Sequence, residues 1–84
     1  MFAKEIQIVN DFLKKDNDAF FYADSKSLGQ GEWALEVYGV TTNDVDSRQE
    51  FLFELIGSNG TDGQEPADLW SSYETIMRQV GVPQ

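Results

Sequence analysis

The segment EWALEVYGV, residues 32–40, alternates so cleanly that it admits one local structure. Trp33, Leu35 and Val37 fall on one side of an extended chain, with Glu32, Ala34, Glu36 and Tyr38 on the other. That two-residue period is the mark of a half-buried β-strand. Such a strand cannot stand alone, because its backbone N–H and C=O groups need partners and a two-stranded ribbon is marginal in water. The flanking sequence must therefore supply its neighbours.

Upstream, AFFYA (residues 19–23) reads as a short aromatic strand, joined to the first through the loop DSKSLGQG (residues 24–31). Downstream, RQEFLFELIGS (residues 48–58) fits two structures. Ser47 and Glu50 form an S-x-x-E capping box, and Gly57 would end a helix. On a helical wheel, however, the apolar residues cover more than half the circumference, a burial too deep for so short a helix in a small domain. As a strand, Phe51, Phe53 and Leu55 face a core, while Glu50, Leu52, Glu54 and Ile56 face outward. The strand is the better fit. A turn centred near Asp44 then sets Trp33 opposite Leu55, Leu35 opposite Phe53 and Val37 opposite Phe51. On the outer face it sets Glu36 opposite Leu52 and Ala34 opposite Glu54. The glutamates 50, 36, 54 and 32 then form a zigzag with steps of about 7–8 Å, none directly opposed to another.

Two helical patterns enclose these strands. In residues 2–15, Phe2, Ile6, Val9, Phe12 and Leu13 recur at three- and four-residue spacings, and Lys14 and Lys15 suit a helix C-terminus. PADLWSSYETIMRQVG carries a stripe of Leu69, Trp70, Tyr73, Ile76, Met77 and Val80, with Pro66 in its first turn and Gly81 as its cap. TTNDVDS and SNGTDGQE have turn and loop composition. The expected fold is α+β in the order α-β-β-β-α, a three-stranded antiparallel meander with two helices on one face. The alternative is α-β-β-α-α with residues 47–56 helical. With 84 residues, no repeat and no linker, the chain reads as a single domain, 1–84.

The residue inventory narrows the chemistry. The chain has no His and no Cys, so the commonest general base and the strongest nucleophile are missing. Its serines lack an identifiable base or a G-x-S-x-G context. An enzyme is not expected. Asp44-x-Asp46 opens like a calcium loop, but Arg48, Gln49 and Leu55 occupy the third-ligand, glycine and closing glutamate positions. LGQGEW lacks the later glycine and following helix of a phosphate cradle. Neither a metal nor a cofactor is expected. No run of 18 apolar residues occurs, and the N-terminus interleaves charges with apolar residues, unlike a secretion signal. Those features point to a cytoplasmic chain that does not enter a membrane.

Charge is the strongest remaining signal. The net charge is −9: up to Lys26 five acids face four lysines, and from Ser27 onward ten acids face only Arg48 and Arg78. Such a surface repels phosphate, which disfavours direct binding to nucleic acid, and it favours fast association with a basic protein. The expected binding surface is the outer sheet face, where Glu32, Glu36, Glu50 and Glu54 would engage Lys or Arg around anchors Tyr38, Leu52 and Ile56. Asp44, Asp46, Asp62, Glu65 and Asp68 would form a second acidic patch on the loops. The reading is a small non-enzymatic inhibitor or binding protein that occludes a basic, nucleic-acid-binding partner. In size, charge and layout, though in no sequence motif, the chain is similar to phage anti-CRISPR and anti-restriction proteins and to nuclease-immunity proteins. The alternative is a structural or adaptor subunit, a monomer or a homodimer, without mimicry.

Overall fold

The computed structural model describes residues 1–42, 49–61 and 63–81. Its elements run α1 (Ala3–Lys15), β1 (Phe20–Gly29), β2 (Glu32–Val40), β3 (Gln49–Gly57) and α2 (Ala67–Val80). The strands form one open antiparallel sheet in the order β1-β2-β3. This is the α-β-β-β-α meander, and residues 49–57 are strand. Both helices pack on one face of the sheet, and a thickness of 19 Å matches one sheet layer plus one helix layer.

The core lies between those layers. Val9 of α1, Leu35 and Val37 of β2, Phe53 and Leu55 of β3, and Leu69, Tyr73, Ile76 and Met77 of α2 form one buried cluster. Each fully buried side chain of this kind stabilises the fold by about 1.5–3 kcal/mol. The absence of a Cβ at Gly39 seats α1: one placed there would lie 2.7 Å from the Phe12 ring. Phe12 occupies that space and meets Phe21 edge to face at 5.7 Å. Neither helix has a side-chain hydrogen bond at its N-cap, so tertiary packing carries their stability. Pro66 is the N-cap of α2 rather than a residue of its first turn, and Gly81 closes the helix at φ 89°.

Asp16 ties the end of α1 to the end of β2. This carboxylate is only 6% exposed. Its Oδ1 accepts the Asp18 N–H at 2.9 Å, and its Oδ2 accepts the Thr42 N–H at 2.5 Å and the Thr42 hydroxyl at 3.0 Å. At the other end of the sheet, the Gly60 N–H donates to the Gly31 carbonyl at 3.1 Å, and the Trp33 indole N–H donates to the Thr61 carbonyl at 2.7 Å. Those bonds hold the loop before α2 against the β1–β2 hairpin.

Three expectations are corrected here. Residues 24–29, read as loop, continue β1, and only Gln30 and Gly31 turn the chain, with positive φ of 57° and 77°. That is the dihedral sign a two-residue hairpin turn needs. The polar run DSKS showed no alternation because this half of β1 is exposed on both faces. The β2–β3 register is displaced: Leu35 pairs with Leu55, Val37 with Phe53 and Trp33 with Gly57. Finally, a β-bulge between Val37 and Tyr38 shifts the ladder so that Tyr38 pairs with Phe51. Phe51 therefore leaves the core face and stands half exposed. Leu52 packs instead against the core beside α1.

Asp16→Ala should cost roughly 1.5–3 kcal/mol in urea denaturation, the range for hydrogen bonds to a charged group; unchanged stability would show that the clip is not formed in solution. A second expectation concerns alkaline pH. Burial pushes the Tyr73 phenol above its ordinary 10.0. The folded state thus holds its proton longer than the unfolded chain, a contribution complete below about pH 10 and lost as pH rises through the folded value. Tyr73→Phe should flatten the fall in melting temperature above that pH.

Candidate functional site

With both helices on one side, none of the described residues forms a layer over the opposite face of the sheet. Strand pairing fixes which residues share that face. Phe20 pairs with Val40, Tyr22 with Tyr38, Asp24 with Glu36 and Lys26 with Ala34 across β1 and β2. Ala34 pairs with Ile56, Glu36 with Glu54 and Tyr38 with Phe51 across β2 and β3. Glu32 extends the face at the hairpin end of β2. Phe20, Phe51 and Ile56 each keep more than half of their surface exposed. Large apolar groups gathered on an uncovered surface mark an interaction site more often than a solvated one.

Two rows cross all three strands. The first is aromatic. The Tyr22 and Tyr38 rings stack 5.2 Å apart and 15° from parallel, and Phe51 meets Tyr38 edge to face at 5.8 Å. Such pairs contribute about 0.5–1.5 kcal/mol each beyond their burial. The Tyr22 hydroxyl donates to Gln49 Oε1, binding β1 to β3 across the central strand.

The second row is acidic: Asp24, Glu36 and Glu54 lie side by side, each directly opposite the next. Adjacent strands are about 4.8 Å apart, so these carboxylates crowd one another, and like charges in direct opposition are destabilising. None of the three has a cation within ion-pair distance among the described residues. The described residues also hold no group of three acids converging as metal ligands. The row presents charges outward instead of chelating.

The rows are joined at Tyr38, whose hydroxyl donates to Glu36 Oε1 at 3.2 Å. Partial desolvation, and then the Glu36 carboxylate, push the Tyr38 phenol above its ordinary 10.0. Tyr38 thus remains a neutral donor at physiological pH, and it holds Glu36 against the aromatic row.

Of the residues expected on this surface, Glu32, Glu36, Tyr38, Glu54 and Ile56 occupy one face. The bulge turns Glu50 and Leu52 to the helix side, where Leu52 lines a shallow cleft with Ile8 and Phe12 and the Glu50 carboxylate lies 3.8 Å from the Lys15 ammonium. The expected zigzag of four glutamates is therefore replaced by a closer row that includes Asp24. Asp44, Asp46 and Asp62 lie outside the described residues. The expected surface omitted Phe20, Tyr22, Asp24 and Phe51. Asp24 was legible only if DSKS were extended, and Phe51 only if the bulge were known.

Glu36→Gln should stabilise the protein by roughly 0.2–1 kcal/mol, because it removes the central charge of the row. Thermal denaturation at low ionic strength should show the gain, and added salt should shrink it. A loss of stability would show that the Tyr38 hydrogen bond outweighs the repulsion.

Compared with protein-family models, curated proteins and solved structures, the chain matches none, so its functional reading rests on the chemistry of this face.

Proposed function

We propose that the chain is a small non-enzymatic binding protein whose uncovered sheet face occludes a basic, nucleic-acid-binding protein. The observation that carries this reading is the uncompensated row of Asp24, Glu36 and Glu54 beside half-exposed apolar side chains. A like-charge row costs stability in the free protein, and a cationic surface would relieve it. Arg and Lys clefts built for phosphate also accept carboxylates, and a rigid sheet holds those carboxylates without an ordering cost at the moment of binding. Tyr38, Phe51 and Ile56 would supply the desolvated anchors that dominate interface energies. With a net charge of −9, the chain itself is a poor ligand for nucleic acid. Its action would be competitive, in the manner of anti-CRISPR, anti-restriction or nuclease-immunity proteins.

One observation favours a second reading, a structural or adaptor subunit that self-associates. Among the described residues β1 pairs only with β2, and its residues 24–28 are exposed on both faces, leaving an edge open to another strand. Light scattering after size exclusion separates the two readings. A dimer strengthened by salt supports edge pairing of acidic chains, and a monomer at all salt concentrations supports the binding protein.

The direct test is affinity capture from lysate of the native cell, eluted along a salt gradient. A basic nucleic-acid-binding protein should be released at moderate salt and displaced by its own nucleic acid. Reversing Glu36 and Glu54 together to Lys should weaken that association at least about tenfold at low salt while leaving the circular dichroism spectrum unchanged. Undiminished binding by this variant would overturn the electrostatic basis of the proposal.

A further inference from the structure

Resting on the reading above, we propose that the face recognises its partner through arginine, with the Tyr22–Tyr38–Phe51 row receiving the guanidinium plane and Glu36 and Asp24 its N–H groups. The two rows lie two residues apart along β1 and β2, about 6.6 Å, and three apart along β3, where the bulge adds a residue. A group seated between them touches both. The Tyr38 hydroxyl, 3.2 Å from Glu36 Oε1, holds one carboxylate at the rim of the ring stack, so a cation paired with Glu36 is also within reach of aromatic surface.

Other occupants fit less well. A nucleic-acid base would stack on the tyrosines, but its phosphates would meet Asp24, Glu32, Glu36 and Glu54, opposed among the described residues of this face only by Lys26. An apolar peptide would cover the rings at the cost of desolvating unpaired carboxylates. Lysine supplies the charge, but its ammonium is a compact, strongly hydrated point that does not use a ring plane. The guanidinium is flat and weakly hydrated, stacks on aromatic faces and donates in a fork to carboxylates. It is the one common side chain that satisfies both rows at once.

The test uses the full chain and two peptides of equal charge, (Gly-Arg)4 and (Gly-Lys)4, followed by NMR titration and calorimetry at low salt. The arginine peptide should bind about three- to fivefold more tightly, with shifts centred on Tyr22, Asp24, Glu36, Tyr38 and Phe51. Tyr22→Leu, an edge-strand change that keeps apolar bulk, should bring the two affinities together by weakening only the arginine peptide. Glu36→Gln combined with Glu54→Gln should weaken both peptides. Near-UV circular dichroism checks that each variant is folded. Equal affinity for the two peptides, lost in the double glutamine variant, would overturn the arginine inference and leave the basic-partner reading standing. An arginine preference that survives Tyr22→Leu would overturn the role of the aromatic row. Failure of both peptides to bind would overturn the inference together with the reading on which it rests.

Discussion

The central strand is the constraint on which the rest of this structure depends. β2 supplies the backbone hydrogen bonds for both of its neighbours, and each of its faces has a separate task. Leu35 and Val37, fully buried, form the floor on which α1 and α2 rest. Glu36 and Tyr38, pointing the other way, lie at the middle of the acidic and aromatic rows. Strict alternation keeps the two roles apart, because no side chain on a strand can serve both faces. Two helices and three strands suffice for only one sheet-helix interface. A chain this short therefore builds its core on one side and leaves the other side of the same strand as surface.

The bulge between Val37 and Tyr38 modifies this division. By adding one residue to β3, it exchanges the faces of residues 50–52. Leu52 is drawn under α1 and Phe51 is sent outward to complete the aromatic row. Glu50 follows Leu52 and meets Lys15 across an exposed pair, a contact of small energetic worth. The exchange trades one large apolar side chain for another, placing the Phe51 ring on the uncovered face where Leu52 would otherwise stand. Bulges commonly re-aim side chains next to functional surfaces, and this one accounts for the composition of the face.

The face is also where local and global preferences disagree. Asp24, Glu36 and Glu54 are set in direct opposition, although cross-strand pairs ordinarily avoid like charges. Several other local preferences agree with the fold: helix stripes point inward, Gly81 caps α2 in the conformation that glycine favours, and Gly39 makes room for Phe12. Two further local conflicts stand outside the three strands: Phe2 holds a φ of 62°, and Glu65 Oε2 is buried without a hydrogen-bond partner among the described residues. Under the proposed function, stability and recognition pull Asp24, Glu36 and Glu54 in opposite directions.

Periodicity by itself determined both helices and the central strand, and it favoured a strand over a helix for residues 48–58. The stripe from Leu69 to Val80 and the alternation of residues 32–38 each match one structure and exclude the others. It also placed Glu36, Tyr38, Glu54 and Ile56 together, because alternation along a strand is independent of its partner. Partner choice was decided only in three dimensions. Whether Glu36 meets Leu52 or Glu54 depends on register, which is settled by how Leu35, Val37, Phe53 and Leu55 pack beneath two helices. The strand character of DSKS depends on hydrogen bonds to β2 and not on its own composition. The bulge, and with it the outward turn of Phe51, leaves no trace in a two-residue pattern, since one added residue looks the same in sequence as any other. The sequence alone thus settled which residues alternate, and tertiary packing settled which of them stand side by side.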